Sequence, residues 1–156
     1  MLMAYHSQAP TAPLNSPQGQ DVGTLIYFCT LREALLDHFL IETLKFQKVP
    51  VSLIEKLLED NKLANQKFGG LFTSATGLKW EDAITRISKG SNIPFKTVSQ
   101  LMRSAAELRN TFLHEGAAWA ITRELSTECM NAVPNMVDLF VALHNEFSRR
   151  PPPSDA

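Results

Sequence analysis

A long apolar stripe of helical period is the feature that most constrains this chain. Leu25, Phe28, Cys29, Leu35, Leu36, Phe39 and Leu40 recur at three- and four-residue intervals. That spacing puts them on one side of a helix and gives strand pairing no alternating face to bury. It predicts a helix over Val22 to Lys48, closed by Pro50, whose ring cannot continue a helical ladder.

The same period returns along the chain. A second helix is expected from Val51 through Leu53, Ile54, Leu57 and Leu58, past Leu63, ending at Gly69 and Gly70, where glycine is the usual helix stop. Trp80, Ala83, Ile84 and Ile87 are spaced for a short helix after Gly77. Pro94 then opens a helix from Phe95 to His114, since its fixed φ suits a first turn. The last helix is expected over Ile121 to Ser148, through Leu125, Cys129, Val133, Met136, Val137, Phe140, Leu143, His144 and Phe147, with a kink at Pro134. The fold class is therefore all-α, an antiparallel bundle of four to five helices.

The ends separate from this middle. Residues 1–21 hold three of the nine prolines and few large apolar side chains, so they are expected as a disordered arm that cannot offset its ordering entropy by burial. Residues 149–156, RRPPPSDA, are expected as a flexible proline-rich tail. The bundle is assigned to 22–148. A chain of 156 residues can hold its own core, burying roughly 70% of the surface of the unfolded chain. No apolar run reaches a membrane-spanning length, and the first twenty residues lack the basic flank and apolar block of a secretory signal, so a cytoplasmic location is expected. Cys29 and Cys129 fall among apolar helix positions and read as buried thiols rather than a disulfide. A net charge of −1 gives no global attraction to nucleic acid or to an anionic membrane, so any polyanion contact must be local.

The helix from Phe95 carries the unusual chemistry. At about 100° per residue, Leu101, Phe112, Ala105, Val98, Met102, Phe95 and Leu113 share an arc of about 120°. Arg109 falls inside that apolar arc, while Arg103, Glu107, Asn110 and His114 form a polar stripe on the far side. A lone arginine on an apolar face ordinarily packs its stem and frees its head, or meets a carboxylate such as Glu33, Asp37 or Glu107. Arg32 sits comparably in the first stripe. His6 lies in the arm, His38 reads as solvent-facing and His144 as a core or interface residue, so no metal-ligand cluster is present in the sequence.

The stretch Arg109-Asn110-Thr111-Phe112-Leu113-His114, "RNTFLH", resembles the R-N-x-x-x-H signature of HEPN domains, and it lies late in a helix of an all-α chain as it does there. The likeness spans roughly residues 22 to 148. Through "KFGG" and "TGLKW", between Leu57 and Leu78, it is loosely similar to the mannitol-operon-repressor-like branch. The resemblance implies a metal-independent endoribonuclease without cofactor, in which a ribose 2′-hydroxyl attacks the neighbouring phosphate and leaves 2′,3′-cyclic phosphate ends. Carried onto this chain, it implies Arg109, Asn110 and His114 as catalytic residues, with Arg103 and Glu107 of the polar stripe read as substrate-binding. The residue types suit that chemistry. Histidine moves protons near neutral pH, arginine stays charged and can brace phosphate oxygens, and Asn110, one turn before His114, can orient the ring or hold an oxygen.

Arg109 and His114 point about 140° apart on a straight helix, so a two-fold homodimer pooling two motif helices is expected. The implied partners are an RNA substrate and, for a toxin or phage-defence effector, an antitoxin. The branch in which an antitoxin modifies a tyrosine after the histidine fits poorly, because Glu115 and Gly116 stand there and neither Tyr5 nor Tyr27 is close in sequence. The alternative within the family is a bundle that binds nucleotides or proteins, or regulates transcription, without cutting.

Overall fold

A computed structural model describes residues 17–148. Its elements are α1 (Pro17–Phe46), α2 (Val51–Asp60), α3 (Ala64–Gln66), a π-helical turn (Lys67–Leu71), α4 (Phe72–Thr76), α5 (Trp80–Ser88), α6 (Phe95–Glu115), a 3-10 turn (Ala118–Ala120) and α7 (Arg123–Phe147). No strand occurs among the described residues, and none of their helices is long and apolar enough to cross a membrane. The protein is an all-α helical bundle.

α1 is its spine, about 45 Å long at the usual rise. The stripe read from the sequence is the buried one: Leu25, Phe28, Cys29, Leu36, Phe39 and Leu40 are buried, joined by Thr43 and Leu44, with Leu35 half-buried. α7 lies alongside α1 and runs in the same direction. Asp21 meets Arg123 at 2.8 Å where both helices begin, and the hydroxyls of Thr43 and Ser148 meet at 2.7 Å where both end. α6 runs opposite to this pair: its later residue Arg109 reaches Glu33, and its earlier residues Ser99 and Met102 lie beside Arg32. The antiparallel relation is thus between α6 and the two outer helices. A chain of aromatic contacts ties the small helices to this frame. Phe39 packs on Phe72 at 5.7 Å, Phe72 on Trp80 at 5.0 Å, Phe68 edge-on to Trp80 at 4.8 Å, and Trp80 on Phe140 at 6.0 Å. Such rings contribute through area and through their tilted geometry. The Trp80 indole N–H donates to Ser99 Oγ at 2.8 Å, which satisfies its buried polar atom.

Three boundaries differ from the expected ones. Residues 17–21 of the expected arm are helical. Pro17 is pre-set for a first turn, and the buried Asp21 carboxylate is neutralised by Arg123. The rest of that arm and the tail from 149 lie outside the described residues. α2 ends at Asp60 because Asn61 closes it twice, its backbone N–H and side-chain Nδ2 both donating to the Leu57 carbonyl. Gly69 and Gly70 do not stop a helix. Neither has a positive φ, and they lie in the π turn that delivers Leu71 and Phe72 to the core. The stop comes at Gly77, which takes the left-handed conformation (φ 78°) and donates its N–H to the Thr73 carbonyl at 2.8 Å. α7 continues unbroken through Pro134.

The glycines provide a test of opposite signs. A Cβ on Gly69, Gly70 or Gly77 meets nothing within 4 Å, so only backbone conformation decides the outcome. In urea unfolding, Gly77→Ala should cost about 1–2 kcal/mol, whereas Gly69→Ala or Gly70→Ala should be neutral or stabilising by about 0.4–1 kcal/mol.

Candidate functional site on α6

α6 buries Phe95, Val98, Met102 and Ala105, with Leu101, Leu108 and Phe112 half-buried. Leu113 departs from the expected arc: it sits at the arc's edge in the last turn and is 63% exposed. The helix closes at Gly116, left-handed at φ 67°, whose N–H returns to the Phe112 carbonyl at 2.8 Å. The end that carries His114 is therefore capped, not loosened.

Arg109 leaves α6 toward α1. Its Nη2 donates to Glu33 Oε1 at 2.8 Å, its side chain is only 16% exposed, and its Nε is buried with no hydrogen-bond partner among the described residues. Of the three carboxylates that could have met it, Glu33 does so. Asp37 instead pairs with Lys67 at 2.8 Å. The Cys29 thiol lies near Arg109 in the α1–α6 seam; burial pushes its pKa up, against the charges of Arg109 and Arg32, which pull it down.

Arg109, Asn110 and His114 line one open cleft of about 490 Å³, together with Glu33 of α1 and Lys62, Leu63, Ala64 and Asn65 from the bend after α2 and the start of α3. The 140° between Arg109 and His114 does not keep them apart. The long arginine side chain leans toward α1 while Asn110 and the exposed His114 border the same opening. Two fixed cations, Lys62 and Arg109, face one carboxylate, Glu33, so the cleft has a local positive excess that the whole chain lacks. Such a site can seat an anion and offers an imidazole beside it for proton transfer.

The other two expected residues lie elsewhere. Arg103 pairs with Glu81 of α5 and borders a different cavity. Glu107 is exposed, and its backbone carbonyl accepts from the Thr111 hydroxyl at 3.1 Å. Neither lines the cleft: a shared helical stripe is not a shared opening once α5 lies beside its first turns and the α2–α3 bend beside its last. Lys62 and Asn65 take their place. They were missed because the expected helix ran straight through them, and Asn61, a side chain able to close a helix on itself, was the available signal. Among the described residues no three His, Cys, Asp or Glu side chains gather as a metal site would. Compared with known proteins, the chain matches no family model, no curated protein and no solved structure.

Both thiols are free and buried, and burial pushes Cys129 up from 9.0 to about 12, with Cys29 and Glu128 adding to the rise. At about pH 8 the native protein should resist thiol reagents and react fully only when unfolded. A raised folded-state value stabilises the fold below the unfolded thiol's range. That contribution should be lost as pH climbs from 9.0 toward about 12, read as a falling urea midpoint.

Proposed function

We propose that the protein is an endoribonuclease of the HEPN type and that the α6 cleft is its active site. The observation that carries the reading is the meeting of Arg109, Asn110 and His114 in one opening that also holds Lys62. In the proposed reaction the ribose 2′-hydroxyl loses its proton and its oxygen attacks the adjacent phosphorus. The bond to the 5′-oxygen breaks, that oxygen takes up a proton, and a 2′,3′-cyclic phosphate and a 5′-hydroxyl remain. His114 moves a proton, Arg109 braces the non-bridging oxygens as charge builds on them, and Asn110 orients the imidazole or holds one of those oxygens. Glu33 fixes the guanidinium, and Lys62 attracts the RNA backbone.

One imidazole cannot be base and acid in the same instant. A two-fold dimer that brings two clefts together supplies the second. Leu113 and Trp119, 63% and 81% exposed on either side of the Gly116 cap, offer apolar surface for that pairing. In the cell such an enzyme would act as a toxin or phage-defence effector, held in check by an antitoxin.

A second reading has its own support. Glu33 neutralises Arg109, and the pair is largely withdrawn from solvent, as a structural ion pair would be. On this reading the bundle binds a nucleotide or a protein, or regulates transcription, and does not cut.

Incubation of the purified protein with mixed RNA in EDTA separates the two. The nuclease should leave cyclic phosphate ends, and His114→Ala should slow cleavage by about 10²-fold or more without a change in melting temperature. Arg109→Ala should abolish cleavage and relieve any growth arrest on expression, while costing about 1–3 kcal/mol of stability through its lost partner. No cleavage at high enzyme concentration, with Arg109→Ala destabilising all the same, would select the binding module. Light scattering should give a dimer; a fully active monomer would reject the paired site.

A further inference from the structure

A second, smaller opening lies between α1, the π turn, α5 and α6. About 60 Å³ in volume, it is lined by Arg32, Phe68, Trp80, Ser99, Met102 and Arg103, none of which borders the α6 cleft. Arg32 is its unusual member. The residue stands in the buried stripe of α1 and is only 8% exposed. Its guanidinium carbon lies 3.9 Å from the centre of the Phe68 ring, so an aromatic face covers one side of the cation.

Its hydrogen-bonding edge is not covered. Arg32 Nε and Nη1 are buried with no hydrogen-bond partner among the described residues, and its sequence neighbour Glu33 is engaged with Arg109. A buried guanidinium without a counter-charge is costly. Desolvation accordingly lowers the pKa of Arg32, with Cys29 and Glu33 opposing the shift and Arg109 and Arg103 adding to it.

The rest of the lining complements a negative group. Ser99 Oγ accepts from the Trp80 indole, which leaves its own hydrogen to donate elsewhere. Arg103 borders the cavity and pairs with Glu81; both side chains are 64% exposed, so this pair stands in solvent. No carboxylate lines the cavity. One water takes about 10–15 Å³ of such volume, so the space accommodates several oxygens in a group of phosphate size and excludes an attached nucleoside.

We propose that this cavity is a binding site for a small oxyanion of the phosphate class, held by the Arg32 guanidinium from α1 and by Ser99 and Arg103 from α6, with Trp80 as one wall. The anion is either free phosphate or the phosphate of a nucleotide whose nucleoside stays outside. It competes with Glu81 for Arg103. The site is independent of RNA cleavage, and the two stand or fall separately.

Trp80 is a built-in reporter. The chain has two tryptophans, and Trp119→Phe at an exposed position leaves Trp80 alone. In that background, inorganic phosphate or AMP is titrated against chloride at constant ionic strength, and indole emission and melting temperature are followed. A saturable emission change and a rise of several degrees at saturation are expected for at least one of them. Stronger binding of inorganic phosphate assigns the site to the free ion, and stronger binding of AMP assigns it to a nucleotide; either supports the proposal. Glu81→Gln should tighten binding by freeing Arg103, and Arg103→Ala, outside the core, should weaken it about tenfold or more. Arg32→Met should abolish the response while melting no lower than wild type without phosphate. No saturable response to either probe, as for a cavity that holds only water, would overturn the proposal. So would equal responses in wild type and Arg103→Ala, whether or not Arg32→Met folds.

Discussion

Two guanidiniums and one carboxylate share the seam between α1 and α6, and the rest of the molecule's chemistry follows from how that mismatch is resolved. Glu33 can neutralise one cation. It takes Arg109, at 2.8 Å, and in doing so draws a residue of α6 toward α1, where the larger cleft opens. Arg32, one position before Glu33 in the chain, is left with the face of Phe68 and an edge that nothing meets. Had the seam held a second carboxylate, both arginines would read as ordinary buried ion pairs. With one, it has a satisfied site and an unsatisfied site on neighbouring residues of the same helix.

The contribution of Trp80 is of another kind. Its ring joins the small helices to α7 through Phe68, Phe72 and Phe140, and its N–H fixes the Ser99 hydroxyl. Packing and polar orientation are thus supplied by one side chain. The smaller cavity keeps its shape because its wall belongs to the aromatic cluster.

How much of this was legible in the sequence depends on the range of the interaction. The stripe from Leu25 to Leu40 and the helix from Phe95 are properties of spacing, and they appear where the spacing puts them. Gly69-Gly70 misled because a glycine stop and a glycine in a wide turn look alike in one dimension; only the sign of φ separates them, and at Gly77 it is positive. The early start of α1 depends on Asp21 meeting Arg123, a pairing of residues 102 positions apart that no local rule contains. In the cleft, Arg109 stood out as a charge on an apolar face, with Glu33 among its foreseeable partners. Lys62 and Asn65 did not stand out, because their place is set by where α2 ends.

The π turn has a consequence for how this chain can change length. A π turn spends one residue more than an α-helical ladder needs, so Lys67–Leu71 holds a spare residue in an otherwise continuous run from α3 into α4. Deleting Gly69 or Gly70 would let the ladder revert to the tighter winding, and everything after it would turn by about 100°. Phe72 would swing away from Phe39 and Trp80. The segment is the phase-setting point of the bundle, where a single inserted residue is stored as rotation and keeps the aromatic cluster aligned.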